Sequence, residues 1–65
     1  MVSYFHVVER GDGRWACQHG LSAQDIHPDF DHAVAHIREI AGAHRPASIY
    51  AHPVDGPVKH IEDLS

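Results

Sequence analysis

Two β-rich runs joined by a Gly-Asp-Gly turn constrain this chain more than any other feature. Residues 2–9 alternate with an apolar bias, residues 11–13 tolerate a positive φ, and residues 14–19 carry the single Trp and the single Cys. This pattern predicts a β-hairpin, and a hairpin fixes which side chains share a face of the sheet. Phe5 and Val7 are expected on one face. The opposite face receives Tyr4, His6 and Val8.

One amphipathic helix is predicted from about His32 to Ala43. Its apolar side chains recur at spacings of three and four, which places them on one stripe: Ala33, Val34, Ile37, Ile40 and Ala41. Asp31 stands where an N-cap is expected, and Phe30 before it can fold onto the first turn as a hydrophobic staple. Pro46 prevents the helix from continuing beyond Arg45.

The remaining segments complete an α+β pattern in a single domain, residues 1–65. Residues 21–29 lack a clear period and are expected to form a loop, whereas residues 47–52 predict a third strand. Residues 58–61 are a candidate fourth, edge strand, and residues 62–65 are expected to fray. The element order is therefore β-β-α-β-(β). We expect an antiparallel sheet of strand order 2-1-3-4, with the helix packed on one face.

The uncovered face of that sheet is the first candidate site. Its expected residues are aromatic, imidazole or aliphatic: Tyr4, His6, Val8, Tyr50 and His52. Adjacent strands bring such side chains within about 5 Å of each other. His6 and His52, with His60 nearby, are compatible with a metal site. The favoured interpretation is an aromatic and imidazole surface that is wet in a monomer and buried in a dimer.

The second candidate site lies on the helix. His32 and His36 are four residues apart and Glu39 follows three residues later, so all three share one helix face and are candidate metal ligands. That face is roughly opposite the apolar stripe and is expected to be exposed. A structural zinc site needs four ligands and supporting contacts, and no fourth ligand is evident. The favoured alternative is a polar helix face that contains histidines, with no resident cofactor.

Composition limits the classes of function. A chain of 65 residues buries only about 60% of its unfolded surface, which favours a partner subunit or a metal as added stabilisation. The single Cys17 excludes an intramolecular disulfide and fits a reducing compartment. No apolar run approaches the ~20 residues of a membrane span, and no signal-peptide pattern opens the chain. A cytoplasmic location without membrane contact is therefore expected.

Charge argues against nucleic acid as a partner at neutral pH. Nine Asp and Glu residues exceed five Lys and Arg residues, for a net charge of −4, and the cationic residues are scattered. An enzyme is not expected either. Cys17 and His19 share a face, but no residue is placed to orient the imidazole or to form an oxyanion hole. A buried structural Cys17 is expected, and Trp15 is expected to anchor a core or an interface.

Short motifs spread over nearly the whole chain resemble one family. They are Phe5-His6-Val7-Val8-x-Arg10, Gly13-x-Trp15-Ala16, Phe30 before a helix with Ala33 and Ile37, Ile49-Tyr50-Ala51-His52, and Asp55-Gly56. The pattern is similar to small bacterial and phage domains of unknown function that open Tyr-His-Val-Val-Pro and continue Gly-Trp-Ala-Val. Here Glu9 replaces the common Pro, and the loop at 21–29 is unusually long. The resemblance implies a ββαβ fold and supplies no catalytic residue.

Together these patterns favour a small, non-enzymatic protein-interaction module that forms a homodimer. An alternative from another class is an acidic phage-type inhibitor that covers a basic surface of a host protein, which the −4 charge would suit. That alternative requires the acidic residues to cluster on one surface. The third alternative is a histidine-mediated transition-metal binder.

Overall fold

Within residues 1–19 and 25–65, five strands form one sheet and a single helix covers one of its faces. The computed structural model describes residues 1–19 and 25–65. The elements in chain order are β1 (Ser3–Glu9), β2 (Trp15–His19), β3 (Asp25–His27), α1 (Phe30–Gly42), β4 (Ala47–His52) and β5 (Lys59–Leu64). The strand order is β3-β2-β1-β4-β5. The α+β class and the single helix on one face are confirmed, whereas the four-strand antiparallel sheet of order 2-1-3-4 is correct only in part.

The strand count and one strand direction correct the prediction. Residues 25–27, expected to lie in a loop, form β3 and pair antiparallel with β2, whereas residues 20–24 lie outside the described part. This extra strand reverses the chain once more before the helix. The helix therefore returns the chain to the starting end of β1, and β4 runs parallel to β1 instead of antiparallel. A strand-helix-strand crossover is the usual route to such a parallel pair.

The helix begins earlier than predicted, at Phe30, and its N-cap is Asp29 instead of Asp31. The Asp29 backbone is extended, and its Oδ1 accepts a hydrogen bond from the His32 backbone N–H at 2.9 Å. Phe30 is therefore the first helical residue, not a staple before the helix. Its ring meets Trp15 edge-on, with 4.8 Å between ring centroids, so the first turn of the helix packs against β2. Asp31 lies in the first turn, where a carboxylate suits the helix dipole.

The core lies between the sheet and the helix. The predicted stripe is confirmed for Ala33, Val34, Ile37 and Ala41, which are buried, while Ile40 is half-buried. From the sheet, the largest fully buried side chains are Phe5, Val7 and Ile49.

The C-terminal segment is ordered further than predicted. Residues 62–64, expected to fray, belong to β5 and pair with β4. Ile61 and Leu64 pack against the buried core. Burial of their apolar surface stabilises this segment in the sheet.

The hairpin turn supplies a test of backbone conformation. Gly13 has a φ of +87°, whereas Gly11 has a negative or extended φ, and a Cβ at either position would meet nothing within 4 Å. Gly13→Ala should therefore lower the free energy of unfolding by about 1–2 kcal/mol through backbone strain alone. Gly11→Ala is the matched control and should be neutral or slightly stabilising. Urea unfolding of both variants measures the difference, and equal midpoints would contradict the assigned turn.

Candidate interaction face

The sheet has one face that the helix does not cover, and we call it the open face. Side chains alternate along each strand, so the residues next to Phe5, Val7, Ile49 and Ala51 point away from the helix. The open face is defined by these residues of β1, β4 and β5: Tyr4, His6, Val8, Ser48, Tyr50, His52, His60 and Asp63. All five side chains predicted for an interface lie on it, which places them together as the alternation predicted.

Two histidines form the centre of the open face. In the parallel ladder His6 lies beside Tyr50, and Val8 lies beside His52, so His6 and His52 are diagonal neighbours. Their ring nitrogens Nδ1 of His6 and Nε2 of His52 are 2.8 Å apart. One ring must donate an N–H while the other accepts it. Burial, and then the nearby His52 and His19, lower the pKa of His6, so that its ring is neutral at neutral pH.

Aromatic rings surround the histidine pair. The Tyr50 ring centroid lies 6.1 Å from that of His6, 6.1 Å from that of Tyr4 and 5.2 Å from that of His60. Tyr4 remains 53% exposed, whereas Tyr50, His6 and His52 are half-buried. The result is a continuous strip of flat rings across β1, β4 and β5. Such rings offer large contact area at low entropic cost, with polar atoms at their edges.

Charge is nearly absent from the open face. Within the strands that the structure describes, Asp63 is its one carboxylate. The Ser48 hydroxyl donates a hydrogen bond to Asp63 Oδ1 at 2.6 Å, and His60 Nε2 lies 2.8 Å from the same oxygen. These hydrogen bonds, first from Ser48 and then from His60, lower the pKa of Asp63. The Ser48–Asp63 contact was not anticipated, because residues 62–65 were expected to fray.

The two helix histidines, His32 and His36, each contact a different aspartate. His32 Nδ1 lies 2.8 Å from Asp29 Oδ1, and His36 Nε2 lies 2.8 Å from Asp25 Oδ2. Across residues 1–19 and 25–65, no three His, Cys, Asp or Glu side chains come together as a metal site, so His32, His36 and Glu39 are not gathered around one point. His32 and Glu39 are exposed, as expected for this helix face, and His36 is less exposed than they are. Its side chain is 34% exposed because β3 brings Asp25 and the His27 ring against it.

Cys17 is buried, as predicted. Its Sγ donates to the Ala33 carbonyl oxygen at 3.3 Å, and burial raises the pKa of the thiol to about 11. The His19 ring stacks on Phe5 with 4.1 Å between centroids. The thiol is therefore protonated at neutral pH and contacts the helix backbone, which suits a structural residue.

Trp15 lines a groove at one end of the helix-covered side. The groove has a volume of about 250 Å³, and its walls are mainly apolar: Trp15, Phe30, Ala51, Pro53, Lys59 and Ile61. Trp15, predicted to anchor a core or an interface, is half-buried and packs against the core. The groove itself was not predicted, since it requires the helix to begin at Phe30 and β5 to begin at Lys59.

Comparisons with known proteins place the chain beside one family. The model of a family described as "Uncharacterized protein conserved in bacteria (DUF2188)" matches residues 5–62. This match confirms the resemblance to a small bacterial domain of unknown function. No curated protein and no solved structure matches the chain. Within the described residues, the helix is too short and too polar to cross a membrane.

Proposed function

The chain belongs to the uncharacterized bacterial family DUF2188, and we propose that it is a non-enzymatic protein-interaction module that forms a homodimer through the open face. The supporting observation is a nearly uncharged face on an acidic chain. With a net charge of −4, two copies repel each other unless they meet where carboxylates are few. Asp63 is the one carboxylate on the open face of the described strands, and it is already bonded to Ser48 and His60.

The composition of the open face also fits a protein surface better than a catalytic cleft. Interface cores are rich in aromatic side chains and poor in charge, as are Tyr4, Tyr50 and the histidines around them. The residues that define the open face include no Cys. The chain's one thiol points into the core from the other side of the sheet. The aromatic, weakly charged face and the buried thiol therefore favour an interaction module over an enzyme.

The size of the open face predicts a weak dimer. The three strands that carry the open face, about 4.8 Å apart and about 20 Å long, give a face of roughly 300 Å² per copy. A stable interface usually buries about 800 Å² per partner, so a pair formed through this face alone belongs to the weak, transient class. Association is therefore expected at high protein concentration.

The acidic-inhibitor alternative has less support. Acidic side chains lie at the hairpin turn, at the helix start and on both edge strands instead of on one surface. Several are already paired with a neighbouring cation or imidazole: Asp12 with Arg14, Asp25 with His36, Asp29 with His32, and Glu62 with Arg38. Such dispersed and paired carboxylates do not form the single acidic surface that this function needs.

A charge placed on the open face tests the proposal. Sedimentation equilibrium from about 20 µM to about 1 mM should show the mean mass rising from the 7.2 kDa of one chain toward twice that value. Tyr4→Glu should keep the chain monomeric over that range, because two new carboxylates would face each other across the pair.

Ala35→Glu is the matched control. It adds the same charge on an exposed helix position, on the other side of the sheet, and should leave association unchanged. A wild-type chain that is monomeric at the highest concentration, or equal association of the two variants, would overturn the proposed homodimer.

A further inference from the structure

We propose that His6 and His52 are a two-imidazole chelate for a divalent transition cation of the Zn²⁺ class, and that two copies meeting at the open face complete a four-imidazole site. This inference rests on the proposed function, because the second copy supplies half of the ligands. The geometry carries it. Nδ1 of His6 and Nε2 of His52 face each other at 2.8 Å and are part-buried on the open face.

The distance between these nitrogens is close to what a metal requires. Zinc binds histidine nitrogen at about 2.0–2.1 Å in tetrahedral geometry, which separates two ligand nitrogens by about 3.3 Å. The two nitrogens must therefore separate by about half an ångström, and the two rings must turn so that both lone pairs point at the cation. At present one N–H proton lies between the two nitrogens. For the cation to take its place, the donor ring changes tautomer and carries its proton on its other nitrogen, so that both rings bind as neutral imidazoles with no net release of a proton.

Imidazole side chains supply the ligands, and neighbouring rings hold them in place. His6 lies half-buried beside the Tyr50 ring, with the His52 ring centroid 4.9 Å away. Imidazole ligands suit Zn²⁺, Ni²⁺ and Cu²⁺, and do not suit Mg²⁺ or Ca²⁺. The class of cation follows from this ligand chemistry.

One copy is insufficient. In the part of the chain that the structure describes, no third His, Cys, Asp or Glu joins the pair as a ligand, and the nearest carboxylate on the face, Asp63, is held by Ser48 and His60. A tetrahedral structural site needs four ligands. A two-fold axis through the pair of histidines would bring in the same two nitrogens from a second copy. A cation there would also offset the negative charge of two chains at −4 each.

Zinc titration of the whole chain tests the inference. Calorimetry and sedimentation in histidine-free, chelator-free buffer at pH 7.5 should give one Zn²⁺ per two chains and a shift to twice the 7.2 kDa mass. His6→Gln and His52→Gln should each weaken Zn²⁺ binding by at least about tenfold, a loss comparable to that from disturbing a supporting ligand contact. The control is the double variant His32→Gln plus His36→Gln. It removes two imidazoles that do not lie on the open face, and it should bind Zn²⁺ as the wild-type chain does.

The outcomes separate this inference from the proposed function. A dimer that forms without Zn²⁺ and does not respond to it overturns the metal site and leaves the homodimer intact. One Zn²⁺ per monomer, or binding lost in the helix variant, overturns the inference directly. If a histidine variant fails to fold, the Zn²⁺ stoichiometry and the mass of the wild-type chain still test the four-imidazole site. A dimer seen only with Zn²⁺ supports the site and makes the homodimer metal-dependent.

Discussion

Phe5→Ala is expected to lower the free energy of unfolding by about 3–5 kcal/mol. Phe5 is fully buried in the middle of β1, and its ring stacks on His19 and tilts against His44. A chain of this size has only a few kcal/mol of net stability, so the variant should be largely unfolded at 25 °C. Circular dichroism and amide proton dispersion measure the folded fraction directly.

Tyr4→Ala provides a matched control for Phe5→Ala. The two aromatic residues are consecutive in β1, yet Tyr4 points to the open face and is 53% exposed. Its replacement should change stability by less than about 1 kcal/mol and weaken self-association instead. If Tyr4→Ala were as destabilising as Phe5→Ala, the assignment of the two faces of β1 would be wrong.

Ile37→Ala is expected to have the next largest effect, about 2–5 kcal/mol. Ile37 is 1% exposed at the centre of the helix stripe and belongs to the same core cluster as Phe5 and Ile49. Shortening it leaves a cavity between the helix and the sheet. Urea unfolding with Glu39→Ala as the control tests the stripe, because Glu39 is exposed two residues further along the helix. Equal loss of stability in both variants would mean that the helix is rotated relative to the sheet.

The faces of the sheet and the helix stripe were predictable, since they follow from local periodicity. Phe5 and Val7 alternate with Tyr4 and His6, and the helix residues repeat every three or four positions, so burial could be assigned residue by residue. The extra strand was not predictable in the same way. Residues 25–27 have no period, and they form a strand because the edge of β2 offers backbone partners. Missing that strand inverted the predicted direction of β4.

The candidate site was predictable as a face but not as a set of contacts. Alternation alone places His6 and His52 on the same side, whereas their 2.8 Å approach depends on the parallel register of β1 and β4. The surroundings of His36 were missed for the same reason. Without β3, nothing in the sequence indicates that Asp25 and His27 lie against the helix. Long-range register is set by the whole sheet, and short motifs do not encode it.

The two edge strands determine whether association of copies could continue without limit. One edge is β3, only three residues long and containing Asp25, and the other is β5, which has a register shift against β4 and carries Lys59 and Glu62. Short, irregular and charged edges resist the addition of a further strand. These edges therefore disfavour strand pairing between copies, which would join them edge to edge into a continuous sheet. In the proposed homodimer, contact through the open face would occupy that face in both partners, so assembly would close at a pair instead of continuing into a fibre.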